Sequence, residues 1–254
     1  MQKNEIKAFN LKIHTYTMLE TLDIIEKNII DHKKNMQHIV INVAKVVHAQ
    51  KNSMLRNAIN NSNIVNIDGL PIVWVLKLLG FNVPERVAGV DLFQKSIKLC
   101  AEKGYKPYFL GAKQDVLDKM VEKFKKQYPN LKIAGYRNGY FKQGSKEEQQ
   151  IADDIKNTKA DMLFLGITSP KKEIFIDKYT KHMDIPFTMG VGGSFDIVAG
   201  KTKRAPKWMQ DSGLEWFYRI IQEPRRMWKR YLITNTLFIA LVVKEFFKRN
   251  IRKV

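Results

Sequence analysis

Two acidic side chains and one arginine follow short apolar segments, where a folded chain can present them to a substrate. Asp68 closes the apolar segment NIVNID, and PERVAGVD places Arg86 and Asp91 shortly after Pro84. A carboxylate that ends a strand acts either as a general base or as the N-cap of the next helix, and the residues leave both open. Arg86 either binds a phosphate through its planar guanidinium or forms a surface ion pair. Proton transfer and anion binding are the chemistries that this group predicts.

A second group of residues predicts contacts with phosphate oxygens. In GITSPKKE, Pro170 precedes Lys172 and Glu173, which begin a predicted helix whose N-terminal amides attract anions. In GVGGSFD, a glycine-rich turn leads to Asp196. Glycines after apolar segments let the backbone approach a phosphate, although a glycine there is also an ordinary turn residue. The glycines concerned are Gly111, Gly139, Gly166, Gly190, Gly192 and Gly193.

Several familiar nucleotide and metal signatures are absent from the sequence. It contains no GxxxxGK motif followed by Ser or Thr, no GxGxxG and no Asp-x-Asp, the usual carboxylate pair for a metal on a nucleotide diphosphate. The five histidines show no ligand spacing, so we expect neither a metal nor a cofactor. The single cysteine, Cys100, cannot form an internal disulfide, and no apolar run opens the chain, which predicts a cytoplasmic protein.

These candidates need elements that bring them together, and the apolar pattern predicts a fold class. Six short apolar segments predict buried strands, and amphipathic stretches such as Gln114–Tyr128 and Lys146–Asn157 lie between several of them. Strands that alternate with helices predict an α/β protein with a Rossmann-like, mostly parallel sheet flanked by helices. Ligands bind such sheets at the carboxyl ends of the strands, where the loops converge. The predicted strands are 39–44, 63–68, 106–111, 132–136, 161–166 and 186–192.

The composition indicates a globular protein with a polyanionic partner. Of the 254 residues, 44% are hydrophobic and 27% are charged, which is typical of a folded domain. The net charge of +19 favours either nucleic acid or an anionic membrane as that partner. Basic residues cluster beside apolar ones from residue 219 onward, whereas binding of nucleic acid requires basic residues spread along a groove. We therefore expect a membrane partner and no nucleic acid.

The C-terminal segment combines this charge with an apolar stripe. Residues 219–254 contain ten basic and two acidic side chains around the twelve-residue apolar run 232–243. A helix that spans a bilayer needs about 20 apolar residues, so this run predicts an amphipathic helix that lies on a surface. That surface is either an anionic membrane or the protein itself, through its own domain or a second subunit of a homo-oligomer. The stripe comprises Trp228, Leu232, Ile239, Val242 and Phe246.

Six stretches of the sequence form an ordered set. They are NIDGLPIVW (66–74), PERVAGVDL (84–92), YFLGAK (108–113), GYF (139–141), LFLGITSPKKE (163–173) and the long block 190–231. In this order they resemble the WecG/TagA/CpsF family of bacterial glycosyltransferases, and the last block is the most specific. The resemblance implies transfer of a sugar from a UDP-sugar to an undecaprenyl-diphosphate-linked acceptor in exopolysaccharide, capsule or teichoic acid assembly.

The resemblance also implies roles for the candidate residues. It implies that Asp68 removes a proton from the acceptor hydroxyl, that Arg86 neutralises a diphosphate, and that transfer proceeds with inversion and without a metal. It adds Asn42 and Tyr140 to the substrate-binding residues. It further implies that the basic tail brings the enzyme to the inner face of the cell membrane and supplies arginines to the site. The arginines concerned are Arg219, Arg225, Arg226 and Arg230.

Two departures from the family pattern leave the donor sugar open. Val40 stands where many N-acetylmannosaminyl transferases of the family have a threonine, and Lys172 stands where the family often has a glutamine. A cation at position 172 suits a phosphate or a sugar carboxylate, or it points to solvent. Glucose, N-acetylmannosamine and related hexoses are all candidates, and a catalytically silent assembly partner or a nucleic-acid-binding protein are the alternatives. We expect a glycosyltransferase domain over residues 1–200 and a basic membrane-associating appendage over residues 201–254.

Overall fold

The computed structural model describes residues 4–31 and 35–251, except for the side chains at positions 226, 250 and 251. The strands are β1 (Glu5–Ala8), β2 (Leu11–His14), β3 (Met36–Ile41), β4 (Ile64–Ile67), β5 (Pro107–Gly111), β6 (Gly135–Arg137), β7 (Met162–Gly166) and β8 (Phe187–Gly190). The helices are α1 (Met18–Ile30), α2 (Val43–Lys51), α3 (Ser53–Asn61), α4 (Leu70–Leu78), α5 (Gly89–Lys103), α6 (Gln114–Gln127), α7 (Lys146–Asn157), α8 (Lys171–Met183), α9 (Ser194–Val198), α10 (Lys207–Asp211), α11 (Glu215–Gln222) and α12 (Pro224–Ile251).

Six strands form one parallel sheet in the order β4-β3-β8-β7-β5-β6. Each overlaps a segment that the apolar pattern predicts as a strand, so the predicted α/β class with a parallel sheet is confirmed. Some boundaries differ from the prediction. β3 ends at Ile41 because Asn42 caps α2, where its Oδ1 accepts the backbone N–H of Lys45 at 3.0 Å. The predicted strand at 132–136 begins later, at Gly135.

Helices cover both faces of the sheet, and successive strand residues point to opposite layers. On β7, Met162 and Phe164 face a layer that contains α1, α5 and α6, whereas Leu163 and Leu165 face α7 and α8. The second layer continues along β3 and β4 to α2, α3 and α4. Because both faces are used for packing, the ends of the strands are where the sheet can form a site.

An antiparallel hairpin of β1 and β2 precedes the sheet, and no strand was predicted there. Its turn consists of Phe9 and Asn10, which have positive φ angles of 54° and 58°. Leu11 and Ile13 bury their side chains in the same core cluster as α2 and α3. Each strand has only four residues, which is too short for hydrophobic alternation to distinguish a strand from a loop.

The C-terminal helix α12 is 28 residues long, which is longer than the apolar run suggested. Its inward face packs on α2 and places Phe238 in the core, with the ring centroid 5.7 Å from that of Phe9. Near the end of the helix, Arg249 donates to the carbonyl of Leu79 at 3.1 Å and lies over the ring of Phe81. This face therefore docks on the protein's own domain, which is one of the two predicted surfaces.

The outward face of α12 exposes apolar side chains. Trp228, Leu232, Ile239 and Phe246 of the predicted stripe are exposed, whereas Val242 packs against the core. None of the described helices combines the length and the apolar character needed to span a membrane. The fold thus leaves one apolar face of this helix uncovered by the described part of the chain.

Candidate active site at the carboxyl ends of the strands

Asp68 follows β4 directly and lies against the start of α5. The N-cap position of α4 is taken by Gly69, which has no side chain with which to cap the helix. The Asp68 carboxylate accepts the backbone N–H of Gly89, the first residue of α5. A Cβ at position 89 would lie 3.2 Å from Cγ2 of Val40 and 3.4 Å from Oδ2 of Asp68. The glycine therefore allows α5 to begin directly against the carboxylate.

The surroundings of Asp68 make its carboxyl group a stronger base than an exposed aspartate. Burial raises the pKa of Asp68 above its ordinary value, and this effect outweighs Arg86, which lowers the pKa. Glu215 raises the pKa further, while the Gly89 amide and Arg219 lower it. A carboxylate whose pKa is raised in this way is suited to accept a proton during a reaction.

Arg86 and Asp91 do not pair with each other but with two residues that follow the sheet. Arg86 Nη1 lies 2.6 Å from Glu215 Oε2, and the Arg86 side chain is only 12% exposed, so it is not a surface ion pair. Arg204 pairs with both carboxylate oxygens of Asp91, with Nη2 2.8 Å from Oδ2. Arg204 Nε also lies 3.8 Å from Glu215 Oε1. These contacts hold the segment after the sheet close to Asp68. The four side chains Asp91, Arg204, Glu215 and Arg86 form a row of alternating negative and positive charges there.

Three of the predicted glycines pack against one another between β5 and β7. Gly111 has a φ of 140°, and a Cβ there would lie 2.5 Å from the carbonyl carbon of Gly166. A Cβ at Gly139 would lie 2.8 Å from Cα of Gly111, and one at Gly166 would lie 2.3 Å from the ring of Phe195. Tyr140, beside them, is exposed. The chain leaves β5 and β7 toward opposite sides of the sheet, which is the arrangement that opens a ligand crevice.

Lys172 and Glu173 are buried at the start of α8, together with Lys45 of α2. Lys172 Nζ and Lys45 Nζ lie 2.7 Å and 2.9 Å from the same oxygen, Oε1 of Glu173. Lys45 also donates to the carbonyl of Val40, near the end of β3. The option that Lys172 points to solvent is therefore wrong. Asn42, the cap of α2, lies at the same edge of the sheet.

The other predicted residues lie around these groups. Gly190 ends β8, and the turn after it contains Gly192, with a φ of 54°, and the exposed Gly193. A Cβ at Gly192 or Gly193 would meet no described heavy atom within 4 Å, so there is open space beside this turn. Pro170 immediately precedes α8, and Asp196 lies in the first turn of α9.

The arginines predicted in the tail occupy different places. Arg219 of α11 lies close enough to Asp68 to lower the pKa of its carboxyl group. Arg225 and Arg230 are exposed on α12. The side chain of Arg226 lies outside the described residues.

Three residues of the site were not among the predicted ones, namely Lys45, Arg204 and Glu215. Lys45 falls on the otherwise apolar buried face of α2. A charged residue on such a face is unusual, and this feature of the sequence could have identified Lys45 as a candidate. Glu215 is an acid within a strongly basic block, which was a weaker signal. The bonds of Glu215 to Arg86 and of Arg204 to Asp91 join positions 129 and 113 residues apart, so local spacing carries no trace of them.

A groove of about 750 Å³ lies elsewhere, between the β1–β2 hairpin and the end of α12. Its described lining includes Lys7, Lys12, Lys248 and Arg249 and none of the site residues named above. Within residues 4–31 and 35–251, no three His, Cys, Asp or Glu side chains are placed to hold a metal. The candidate site is therefore identified by its charged residues and by its position at the strand ends, and not by the size of a cavity.

A parallel sheet with a carboxylate of raised pKa, half-buried arginines and glycine-lined loops at its carboxyl edge is typical of the class of proteins that bind nucleotide-like ligands. Residues 6–252 match the family described as "Glycosyl transferase WecG/TagA/CpsF family". The chain belongs to this family of glycosyl transferases, and the resemblance noted from its motifs is confirmed.

Two relatives from Bacillus share most of their length with this chain. A protein of Bacillus subtilis (strain 168) is 36% identical over 224 residues, which cover 88% of this chain and 85% of that protein. A protein of Bacillus spizizenii (strain ATCC 23059 / NRRL B-14472 / W23) is 32% identical over 220 residues, which cover 87% and 83%. Both are named N-acetylglucosaminyldiphosphoundecaprenol N-acetyl-beta-D-mannosaminyltransferase.

Proposed function

We propose that the protein is a metal-independent, inverting hexosyltransferase that moves a sugar from a UDP-sugar to N-acetylglucosaminyldiphosphoundecaprenol. The acceptor is suggested by the names of the two relatives. The same names make N-acetylmannosamine the first donor sugar to test, while glucose and related hexoses stay open. The product belongs, in this proposal, to an exopolysaccharide, capsule or teichoic acid.

The proposed chemistry is a single displacement with Asp68 as the general base. An acceptor hydroxyl oxygen attacks the anomeric carbon while the bond between that carbon and the UDP oxygen breaks. The Asp68 carboxylate takes the hydroxyl proton, for which its raised pKa is favourable. UDP leaves with the bonding electron pair from the opposite face, so the configuration at the anomeric carbon inverts.

Positive side chains take the place of a metal ion at the departing diphosphate in this proposal. Arg86 and Arg204 are both bound to carboxylates beside Asp68, and Arg219 contributes positive potential there. A guanidinium binds phosphate oxygens through two parallel hydrogen bonds. Because Glu215 pairs with Arg86, an incoming diphosphate would exchange with this carboxylate.

The placement of Asp68 is the observation that carries the proposal. Its carboxylate accepts the backbone N–H of Gly89, which lies at the start of α5 and not in the helix that follows Asp68. Burial raises its pKa although Arg86 is close enough to lower it. A carboxyl group with a perturbed pKa, at a strand end and beside an arginine whose side chain is only 12% exposed, is typical of a catalytic site.

We expect the enzyme to work at the inner face of the cell membrane, because its proposed acceptor is lipid-linked. The uncovered apolar face of α12 carries Trp228, Leu232 and Ile239, and basic side chains such as Lys229 and Arg230 lie beside it. Apolar side chains flanked by lysine and arginine favour an anionic bilayer surface. A second copy of the chain is the other occupant that this face would fit.

A UDP-release screen tests the proposal directly. The purified protein is given UDP-N-acetylmannosamine, UDP-N-acetylglucosamine, UDP-glucose and their uronic acids, with and without a short-chain prenyl-diphosphate-N-acetylglucosamine, in parallel buffers that contain either EDTA or magnesium. We expect release that depends on the acceptor, for one donor, with EDTA present. An absolute requirement for magnesium would contradict the metal-free chemistry. Tight UDP binding without release from any donor would instead favour the silent assembly partner.

A further inference from the structure

Two buried lysines share one carboxylate beside the candidate active site. Lys45, Lys172 and Glu173 are 6%, 5% and 1% exposed. Both ammonium groups form ion pairs with Oε1 of Glu173, and neither buried oxygen of this carboxylate has a well-oriented hydrogen bond from a described residue. We call these three residues the lysine cluster.

The lysine cluster carries a surplus of positive charge. One carboxylate matches one of the two ammonium groups, and no other ion pair of either lysine is formed within the described part of the chain. Arg230 of α12 is near enough to add positive potential. Burial lowers the pKa of Lys172 to about 8, with Glu173 opposing this shift and Lys45 and Arg230 adding to it. Lys172 therefore adds a second positive charge to a site in which Lys45 already balances the negative charge of Glu173.

A purely structural ion pair does not account for this arrangement. Lys45 alone would neutralise Glu173, and an unmatched buried cation costs free energy unless an anion compensates it. Gly190 leaves room for the Lys172 side chain. The Cδ atom of Lys172 lies 3.0 Å from the place that a Cβ at residue 190 would occupy. The glycine at the end of β8 thus leaves space for a second buried lysine, although one lysine is enough to neutralise Glu173.

The lysine cluster lies on the side of the sheet where a substrate would bind. Lys45 bonds to the carbonyl of Val40, and the side chain of Val40 is within reach of Gly89, which bonds to Asp68. Lys172 stands in the first turn of α8, whose preceding residue supplies no side-chain cap. Helix amides at that end attract negative charge and act in the same direction as the lysines.

We propose that the lysine cluster and Arg230 form an anion subsite that binds an anionic oxygen group of the sugar nucleotide. That group is either the diphosphate or a carboxylate on the transferred sugar, and the inference rests on the proposed function. In the occupied site the anion matches the second ammonium group. Lys172 would then be a residue that determines which donor the enzyme accepts.

Binding measurements on matched lysine variants test the subsite. Lys172→Gln removes the buried charge, and Lys171→Gln removes the neighbouring exposed charge as the control. Dissociation constants are measured by calorimetry for inorganic pyrophosphate, uridine, UDP, UDP-glucose and UDP-glucuronate. Loss of a charged hydrogen bond weakens binding by about tenfold or more. We expect that loss for Lys172→Gln and none for Lys171→Gln or for uridine.

The pattern across ligands identifies the anion. Equal weakening for pyrophosphate, UDP and both UDP-sugars assigns the subsite to the diphosphate, whereas weakening for UDP-glucuronate alone assigns it to a sugar carboxylate. Unchanged dissociation constants for every ligand in folded Lys172→Gln would overturn the subsite and leave the proposed function standing. If wild-type protein binds pyrophosphate in a Lys172-dependent way but does not bind UDP, the subsite stands and the proposed function fails.

A second variant keeps the test decisive if Lys172→Gln does not fold. Arg230 is exposed on α12, so Arg230→Gln leaves the core intact, and the adjacent exposed Lys229→Gln is its control. We expect a smaller weakening of the same ligands by Arg230→Gln than by Lys172→Gln, because water screens an exposed charge. Identical binding by both surface variants and the wild type, at low and high salt, would count against the subsite.

Discussion

At the scale of single residues, the environment of Asp68 makes its ionised carboxylate costly for stability. The Asp68 carboxyl group is half-buried, and its raised pKa means that the folded protein binds its proton more tightly than the unfolded chain does. Ionised Asp68 therefore costs folding free energy at neutral pH. The Gly89 amide and Arg86 offset part of this cost. In the proposed mechanism they also hold the carboxylate beside the reacting hydroxyl.

Replacing Asp68 tests this trade-off. Asp68→Asn should lower turnover by about 10²-fold or more, which is typical for loss of a general base. It should leave the melting temperature unchanged or higher, because no buried charge remains to destabilise the fold. Turnover comes from the UDP-release assay and stability from thermal unfolding at pH 7. Wild-type turnover would remove Asp68 from the mechanism, and a large loss of stability would show that its role is structural.

The pairing of Glu215 with Arg86 should be visible in the pH dependence of turnover. Glu215 raises the pKa of Asp68, and a general base loses activity as the pH falls through its pKa. Glu215→Gln should therefore move the acid limb of the pH–rate profile to lower pH. Glu147→Gln, which breaks an exposed pair with Arg137, is the control and should not move it. A shift to higher pH would contradict the proposed electrostatics.

At the scale of elements, α12 has two apolar faces with different roles. Phe238 on the inward face packs in the core beside Phe9, so this face stabilises the fold. Leu232, Ile239 and Phe246 on the outward face are exposed and stabilise nothing within the described chain. A deletion of the whole segment would mix the two roles, whereas substitutions on one face separate them.

Serine substitutions on the outward face test membrane binding. The triple change Leu232→Ser, Ile239→Ser and Phe246→Ser should reduce co-sedimentation with anionic vesicles and leave the melting temperature unchanged, because these side chains are exposed. The control triple changes Leu19, Ile30 and Met54 to serine, which are exposed apolar residues elsewhere on the surface. Vesicle binding equal to that of the wild type would place the anchor somewhere else.

An alanine on the inward face should have the opposite effect. Phe238→Ala removes a buried ring and should lower the free energy of unfolding by about 3 kcal/mol, as is usual for a large-to-small change in a core. Vesicle binding by the folded fraction should persist, because the outward face is unchanged. Urea unfolding measures the first effect and sedimentation the second. A stability equal to that of the wild type would mean that α12 does not dock on α2 in solution.

At the scale of the whole molecule, two buried histidines, one in the hairpin and one in the parallel sheet, make the stability of the fold depend on pH. His14 accepts the backbone N–H of Val65 at 3.0 Å, and His38 bonds to Asn66 at 2.8 Å through Nε2. Burial lowers the pKa of both rings to about 4, with Lys12 adding to the shift at His14 and Lys45 at His38. Glu5 at His14 and the Asn66 bond at His38 oppose it. Both rings are therefore neutral in the folded protein at pH 7.

These histidines predict a loss of stability in mild acid. Their unfolded pKa is near 6.5, so the unfolded chain binds protons first as the pH falls from 6.5 toward 4. The stability of the neutral rings is complete above pH 6.5, and it falls by about 3 kcal/mol for each ring on the way to pH 4. Urea unfolding of wild type and His38→Gln across this range measures it. Equal pH dependence in the two proteins would contradict the prediction.

The sequence by itself determined the six strands of the parallel sheet, the candidate residues Asp68, Arg86 and Lys172, and the family, but not the β1–β2 hairpin. These features are local, because burial imposes its period on consecutive residues and a motif keeps its spacing along the chain. Only the tertiary structure decided that Asp68 bonds to the start of α5, that Glu215 pairs with Arg86, and that Lys45 shares Glu173 with Lys172. Such contacts depend on the order of strands in the sheet and on where the segment after it returns. The same reason explains α12, whose apolar residues look alike in the sequence until the packing of Phe238 divides them into a covered and an uncovered face.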